Sequence, residues 1–144
     1  MKLIYNYILK YALYIAFIQA WMAVAGSLYF SEILHLPPCL LCWYQRIFMY
    51  PLVIILAVGI IRKDRNVSYY ALPISLLGAV VALYHYLLQF TPAAKIALSC
   101  DAFNPCTEIQ ISFFGFITIP FLSFLAFGVI STMMIFLLKS KNKR

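Results

Sequence analysis

The chain has 144 residues, 65% of them hydrophobic and 10% charged, with a net charge of +7 and a mean hydropathy of +0.94. Soluble domains carry about 25% charged residues, so this chain cannot cover a water-facing surface of its size, and the bilayer is its solvent. The basic balance does not point to nucleic acid, because no basic face or base-stacking platform accompanies it.

A membrane-crossing helix needs roughly 20 apolar residues, and four segments meet that need: Tyr11–Phe30, Leu40–Ile61, Tyr69–Phe90 and Phe113–Leu138. They use most of the chain, so residues 1–144 are expected to form a single integral membrane domain, an all-α bundle of four transmembrane helices. The first segment follows Lys2 and Lys10 and contains Ala23-Val24-Ala25, which resembles a leader-peptide cleavage site. Its apolar stretch is longer than a leader's h-region of about 7–15 residues, and an uncleaved helix is expected. Pro37-Pro38 opposes helix before it and suits a first turn after it, so the second helix should start near Cys39. Gly78 and Ala79 are small enough for close helix contact in the third segment. Thr91-Pro92 ends that segment, and an outer loop runs to about Ser112. Pro120 is expected to kink the fourth helix.

Lys2, Lys10, Arg62, Lys63, Arg65, Lys139, Lys141, Lys143 and Arg144 all fall on one side of a four-span chain. The opposite loops hold Glu32, Asp101 and Glu108 against Lys95 alone. The positive-inside rule then puts both termini and the 62–68 loop in the cytoplasm and the cysteines on the outer face. Asn66-Val67-Ser68 fits a glycosylation sequon but lies on the wrong side for use.

All four cysteines sit in two pairs on that outer face. Cys39 and Cys42 are spaced to close a small disulfide, and a helix N-terminus favours a thiolate there. Arg46 follows Cys42 by four residues and shares its helix face. A charged residue inside a membrane span marks a functional site, with the Cys42 thiolate or an anionic form of a bound cofactor as its partner; the plain alternative is an anchor that snorkels to headgroups. Cys100 and Cys106 enclose Asp-Ala-Phe-Asn-Pro, a spacing that permits a disulfide without dictating one. Oxidation is the default outside the cytoplasm, and the bridge is either a loop staple or exchangeable with a partner thiolate. His85, near the outer end of the third segment, is placed to donate a hydrogen bond or proton to a reducible carbonyl at about the depth of Arg46; the plain alternative is an interfacial histidine bonded to backbone or water. Gln45 is expected either to orient Arg46 or a cofactor oxygen or simply to pack between helices. His35 is expected to face solvent, and Trp43 and Tyr44 are candidates to flank a flat ring. No metal site is expected, since C-x2-C with C-x5-C is a loose match to zinc knuckles and the outer face disfavours four reduced thiols. Cysteines spent in this way suit electron transfer between thiols and a carrier dissolved in lipid.

The string Pro38-Cys39-Leu40-Leu41-Cys42-Trp43-Tyr44-Gln45-Arg46, the second outer cysteine pair and the four spans resemble the bacterial disulfide bond formation protein B family, in its short BdbC-like form. Gly78…Ala82-Leu83-Tyr84-His85 and Gly115-Phe116-Ile117-Thr118-Ile119-Pro120-Phe121 look like that family's third and fourth spans. The resemblance implies a multi-pass protein of the bacterial cytoplasmic membrane that reoxidises a thioredoxin-fold oxidase of the DsbA or BdbD type and passes the electrons to ubiquinone or menaquinone. It implies that Cys100 forms the mixed disulfide with the partner, that Cys106 exchanges with Cys39, and that Cys42 hands electrons to the quinone. Arg46 would stabilise the negative quinone or its thiolate adduct, with His85 bordering it. Longer members space their loop cysteines widely, whereas here the spacing is five residues, as in the short members. That leaves open how the loop reaches Cys39 and which loop cysteine meets the partner. Two other readings compete. One is a reductase like the vitamin K epoxide reductase group, which usually places its C-x-x-C on the last helix. The other is a structural membrane protein with two static disulfides.

Overall fold

The structure, a computed structural model, describes residues 2–64, 66–91, 106, 109, 112, 113 and 115–142, with side chains for 11–64, 66–91, 106, 109 and 115–140. Four long helices dominate: α1 (Lys2–Leu28), α2 (Leu40–Ile61), α3 (Val67–Phe90) and α4 (Ile119–Asn142). Each contains a stretch long and apolar enough to cross a membrane: Tyr11–Ile33, Leu40–Ile61, Val67–Phe90 and Ile119–Ser140. The helices run antiparallel in a ring. α1 packs on α2 and α4, and α3 packs on the same two from the other side. This order brings the C-terminal ends of α1 and α3 together with the N-terminal ends of α2 and α4, and the cysteines lie at that end.

The packing follows from residue size. With lipid outside, burying apolar surface gains little, and helices associate through close contact and interhelical hydrogen bonds. On α1 the buried positions are Ala12, Ala16 and Ala20, one small residue per turn along one face. On α3 they include Ala71, Ser75, Gly78 and Ala82. Gly78 lies so close to α4 that a Cβ there would stand 2.3 Å from the Phe127 ring. Phe127 is fully buried and fills the groove that the glycine leaves. Ser75 and Ser131 add a buried hydrogen bond of 2.9 Å across the same pair of helices. The outward faces carry Ile61, Ile54 and Val80 at 79%, 67% and 63% exposure, which only a lipid environment tolerates along whole helices.

Two boundaries and the place of one proline differ from the sequence expectation. α1 passes into a π-helical turn, Tyr29–Ile33, closed by Leu34 N–H donating to Tyr29 O at 3.2 Å, so the following connection is shorter than the loop expected from Ser31. The fourth helix begins at Ile119 and not Phe113: Ser112–Phe113 (β1) pairs antiparallel with Ile117–Thr118 (β2), and Gly115 turns between them at φ +81°. That conformation suits glycine and ends any helix. Pro120 therefore sits in the first turn of α4, where its missing N–H costs nothing, and it is not an internal kink. The internal prolines of this bundle are Pro51 in α2 and Pro73 in α3.

Candidate active site

The site begins with the break in helix that the two prolines impose. Cys39 is extended (φ −68°, ψ 169°) and caps α2, its Sγ accepting from the Cys42 N–H at 3.4 Å. A capping sulphur faces the positive end of the helix dipole, which favours the thiolate. One turn later the Cys42 Sγ stands 3.0 Å from the Cys39 Sγ, and both are free thiols. Cys39 precedes the membrane-spanning stretch, and its pKa is pulled from 9.0 down to about 4, first by the hydrogen bond from the Cys42 thiol, against the opposing effect of burial, and then by His85. The helix N-terminus and His85 thus favour a thiolate at Cys39.

His85 reaches this pair from α3. Its ring is 2% exposed, with Nε2 at 3.2 Å from the Cys106 carbonyl oxygen and 3.6 Å from the Cys39 Sγ. A carbonyl only accepts, so Nε2 carries the hydrogen and Nδ1 is left as an acceptor. The Gln45 amide nitrogen stands 2.9 Å from Nδ1 and donates to it. Gln45, buried on α2, thereby selects the tautomer that points a hydrogen at Cys39 and Cys106. Read from sequence, Gln45 is expected to orient Arg46 or a cofactor oxygen; in the structure its amide binds His85.

Arg46 turns the other way, toward α1. Its Nε donates to Ser27 Oγ at 2.8 Å and a terminal nitrogen donates to Ser27 O at 2.9 Å, while the guanidinium lies 5.3 Å from the Trp43 ring centre. Two acceptors and an aromatic face hold a half-buried cation that lipid alone would not accommodate. Beside it, α1, α2 and α4 enclose a cavity of about 510 Å³, within the range of small-molecule sites. Cys42, Gln45 and Arg46 line one wall, Ala23, Gly26 and Ser27 another, and Leu122 and Ala126 a third. Met22 and Leu125 also line it and are exposed on the lipid-facing surface, so the cavity opens toward the bilayer.

The structure therefore brings together Cys39, Cys42, Gln45, Arg46, His85 and Cys106. Cys106 is buried and clusters with Cys39, Leu41 and Leu88; it is disulfide-bonded. Cys100 lies outside the described residues. His85 does not line the cavity but stands on the thiol side of the pair, so a place for it against a reducible carbonyl in the cavity does not follow from the geometry. His35 is exposed, with φ +50°, as its loop position implies. Tyr44 is exposed away from the cavity, and Trp43 serves Arg46. Ser27 is the residue that the sequence reading missed. A serine next to Gly26 near the outer end of an apolar span is the signal for it.

The family model described as "Disulfide bond formation protein DsbB" matches residues 10–137. This chain belongs to the DsbB family. It is 45% identical over 132 residues to "Probable disulfide formation protein C 1" of Bacillus anthracis, covering 92% of this chain and 95% of that one. It is 45% identical over 131 residues to "Disulfide bond formation protein C" of Bacillus subtilis (strain 168), covering 91% and 95%. A "Probable disulfide formation protein" of Coxiella burnetii (strain CbuK_Q154) is 42% identical over 143 residues, covering 99% and 97%. No solved structure matches the chain. As a DsbB-family disulfide formation protein, the chain is a membrane oxidoreductase. The family match sets the chain apart from the vitamin K epoxide reductase group and favours a redox role over a purely structural one.

Proposed function

We propose that this protein reoxidises the dithiol of an extracytoplasmic thioredoxin-fold oxidase of the DsbA or BdbD type and passes the two electrons to a membrane quinone, ubiquinone or menaquinone. The observation that supports this most is the cavity of about 510 Å³ with Cys42 and Arg46 on one wall and the Cys39–Cys42 pair beside it. A flat, lipid-soluble carbonyl compound fits its donor set: an apolar slot open to the bilayer, a fixed cation for developing negative charge, and a thiol at the edge. A quinone held there would supply the two-electron acceptor without which no new disulfide can be made.

The chain's own residues supply the rest. The partner's dithiol reduces the loop disulfide through a mixed disulfide at Cys100. The Cys106 thiolate then attacks Cys39 in an oxidised Cys39–Cys42 pair: the Cys39–Cys106 bond forms, the Cys39–Cys42 bond breaks, and Cys42 leaves as a thiolate beside Arg46. His85 Nε2–H steadies the Cys39 thiolate of the reduced pair, and Gln45 keeps the proton on that nitrogen. Arg46, held by Ser27, stabilises anionic charge in the cavity, and the apolar walls exclude water. The cysteine end faces outward and both termini lie in the cytoplasm of a bacterial cell, in keeping with the basic residues at the other end of the bundle.

Quinone reduction by the purified protein in detergent, driven by a reduced thioredoxin-fold oxidase, tests the reading. Turnover that disappears in both Cys42→Ser and Cys100→Ser is expected. Absence of turnover with several donors and quinones, with both disulfides left unchanged, would overturn it.

A further inference from the structure

The same thiols, when reduced, offer a different chemistry. Cys39 Sγ, Cys42 Sγ and one ring nitrogen of His85 all lie within 4.8 Å of one another. Two sulphurs and an imidazole form the donor set that zinc prefers. Tetrahedral zinc with bonds of about 2.3 Å to sulphur and about 2.0–2.1 Å to nitrogen places S and N about 3.6 Å apart. Cys39 Sγ and His85 Nε2 already stand at 3.6 Å. The two sulphurs, at 3.0 Å, would need to part by under about 1 Å for the same geometry, which a small side-chain rotation of Cys42 supplies. The Cys106 carbonyl oxygen, 3.2 Å from His85 Nε2, is the nearest fourth donor.

We propose that the dithiol form of this site binds one zinc ion through Cys39, Cys42 and His85, with the Cys106 carbonyl completing the shell, and that zinc thereby arrests the electron relay in its reduced state. The support around the ligands suits this role. A metal-bound histidine usually engages a partner through its other ring nitrogen, and Gln45 is already hydrogen-bonded to Nδ1. With zinc on Nε2 the ring hydrogen moves to Nδ1, and the Gln45 amide serves that tautomer by presenting its oxygen in place of its NH2. Closing the Cys39–Cys42 disulfide removes both thiolates as zinc ligands, so metal and disulfide exclude each other. Zinc captures only the reduced site, and it does so whatever the electron acceptor is.

The experiment uses the full-length Cys100→Ser/Cys106→Ser protein in detergent, in which Cys39 and Cys42 are the sole thiols and the residue 106 carbonyl is retained. Zinc is titrated against a chromophoric chelator, and cobalt(II) is bound as the spectroscopic probe. One equivalent of each is expected in the reduced protein, with the intense visible bands of a tetrahedral thiolate site, and none in the oxidised protein. His85→Ala should weaken zinc binding at least tenfold. His85→Cys, which keeps a soft donor, should retain binding and strengthen the sulphur-to-cobalt absorption, and so decides the matter if His85→Ala fails to fold. No stoichiometric binding to the reduced protein, or zinc affinity and cobalt spectra indifferent to both His85 substitutions, would overturn the proposal.

Discussion

Gln45 on α2 and His85 on α3 are joined by a buried hydrogen bond of 2.9 Å between the amide nitrogen and Nδ1. The bond links two compartments, because Gln45 also lines the cavity while the far side of the His85 ring faces Cys39 and the Cys106 carbonyl. One amide thus touches both the cavity proposed for the electron acceptor and the side of the pair proposed for sulphur exchange.

Replacing Gln45 by Leu should release the tautomer choice of His85. In ¹⁵N spectra of the labelled protein, the wild-type ring should show the hydrogen on Nε2, and the variant should show a mixture. Exchange between the loop and the Cys39–Cys42 pair should slow by roughly tenfold to a hundredfold, the scale of a misplaced proton donor. An unchanged tautomer with slowed exchange would assign Gln45 a different role.

Cys39 should react as a thiolate across the physiological range. With its pKa lowered to about 4, the reactive form is complete well above that value and lost as pH falls through it. In the reduced Cys100→Ser/Cys106→Ser protein, alkylation of Cys39 by iodoacetamide should be flat from about pH 6 to 9 and fall below about pH 5, whereas a free thiol near 8.5 gains about tenfold per unit below its pKa. Cys42→Ser should move the fall to higher pH, because the strongest donor to Cys39 is weakened. A rate that climbs steadily from pH 6 to 9 would contradict the assignment of the charge to Cys39.

Ser27 should matter to the chemistry although it carries none. Ser27→Ala removes the 2.8 Å acceptor of the Arg46 Nε, and a hydrogen bond to a charged group contributes about 1.5–3 kcal/mol. The apparent KM for quinone should rise about tenfold or more with little change in kcat, and Arg46→Ala should raise it further. Steady-state kinetics with varied quinone checks this, and an unchanged KM in Arg46→Ala would remove the arginine from the site.

Gly78→Ala should loosen the α3–α4 contact. The added methyl meets the Phe127 ring at 2.3 Å, in a groove where overpacking typically costs about 1–3 kcal/mol. A lower midpoint of thermal unfolding in detergent is expected, partly restored by Phe127→Leu, which shortens the facing side chain.

The parts of this site that were legible in the sequence are those whose residue types are out of place in a membrane. Cys39, Cys42, Arg46 and His85 stand out against an apolar background, and Pro37-Pro38 announces where α2 begins. What could not be read was which faces meet. Whether Gln45 turns to Arg46 or to His85 depends on the rotation of α2 against α3, forty residues away, and no local pattern records it. The start of α4 was hidden for a different reason. Phe113 to Phe116 is as apolar as the span that follows, and only the backbone of Gly115 shows that the chain turns there before the helix begins. Ser27 was overlooked because a single hydroxyl in a span can satisfy itself on its own helix.

The tether from Arg46 to Ser27 also bears on how the protein is made. The chain emerges N-terminus first, so α1 reaches the bilayer before the arginine of α2 has left the ribosome. An arginine at a helix centre opposes insertion by about 2.5–3.5 kcal/mol, and Arg46, six residues into α2, meets a milder form of that barrier. A hydroxyl and a carbonyl on α1 are already in place when it arrives. The first helix is thus placed to aid insertion of the second, and a Ser27 variant should show its defect in the yield of correctly inserted protein as well as in turnover.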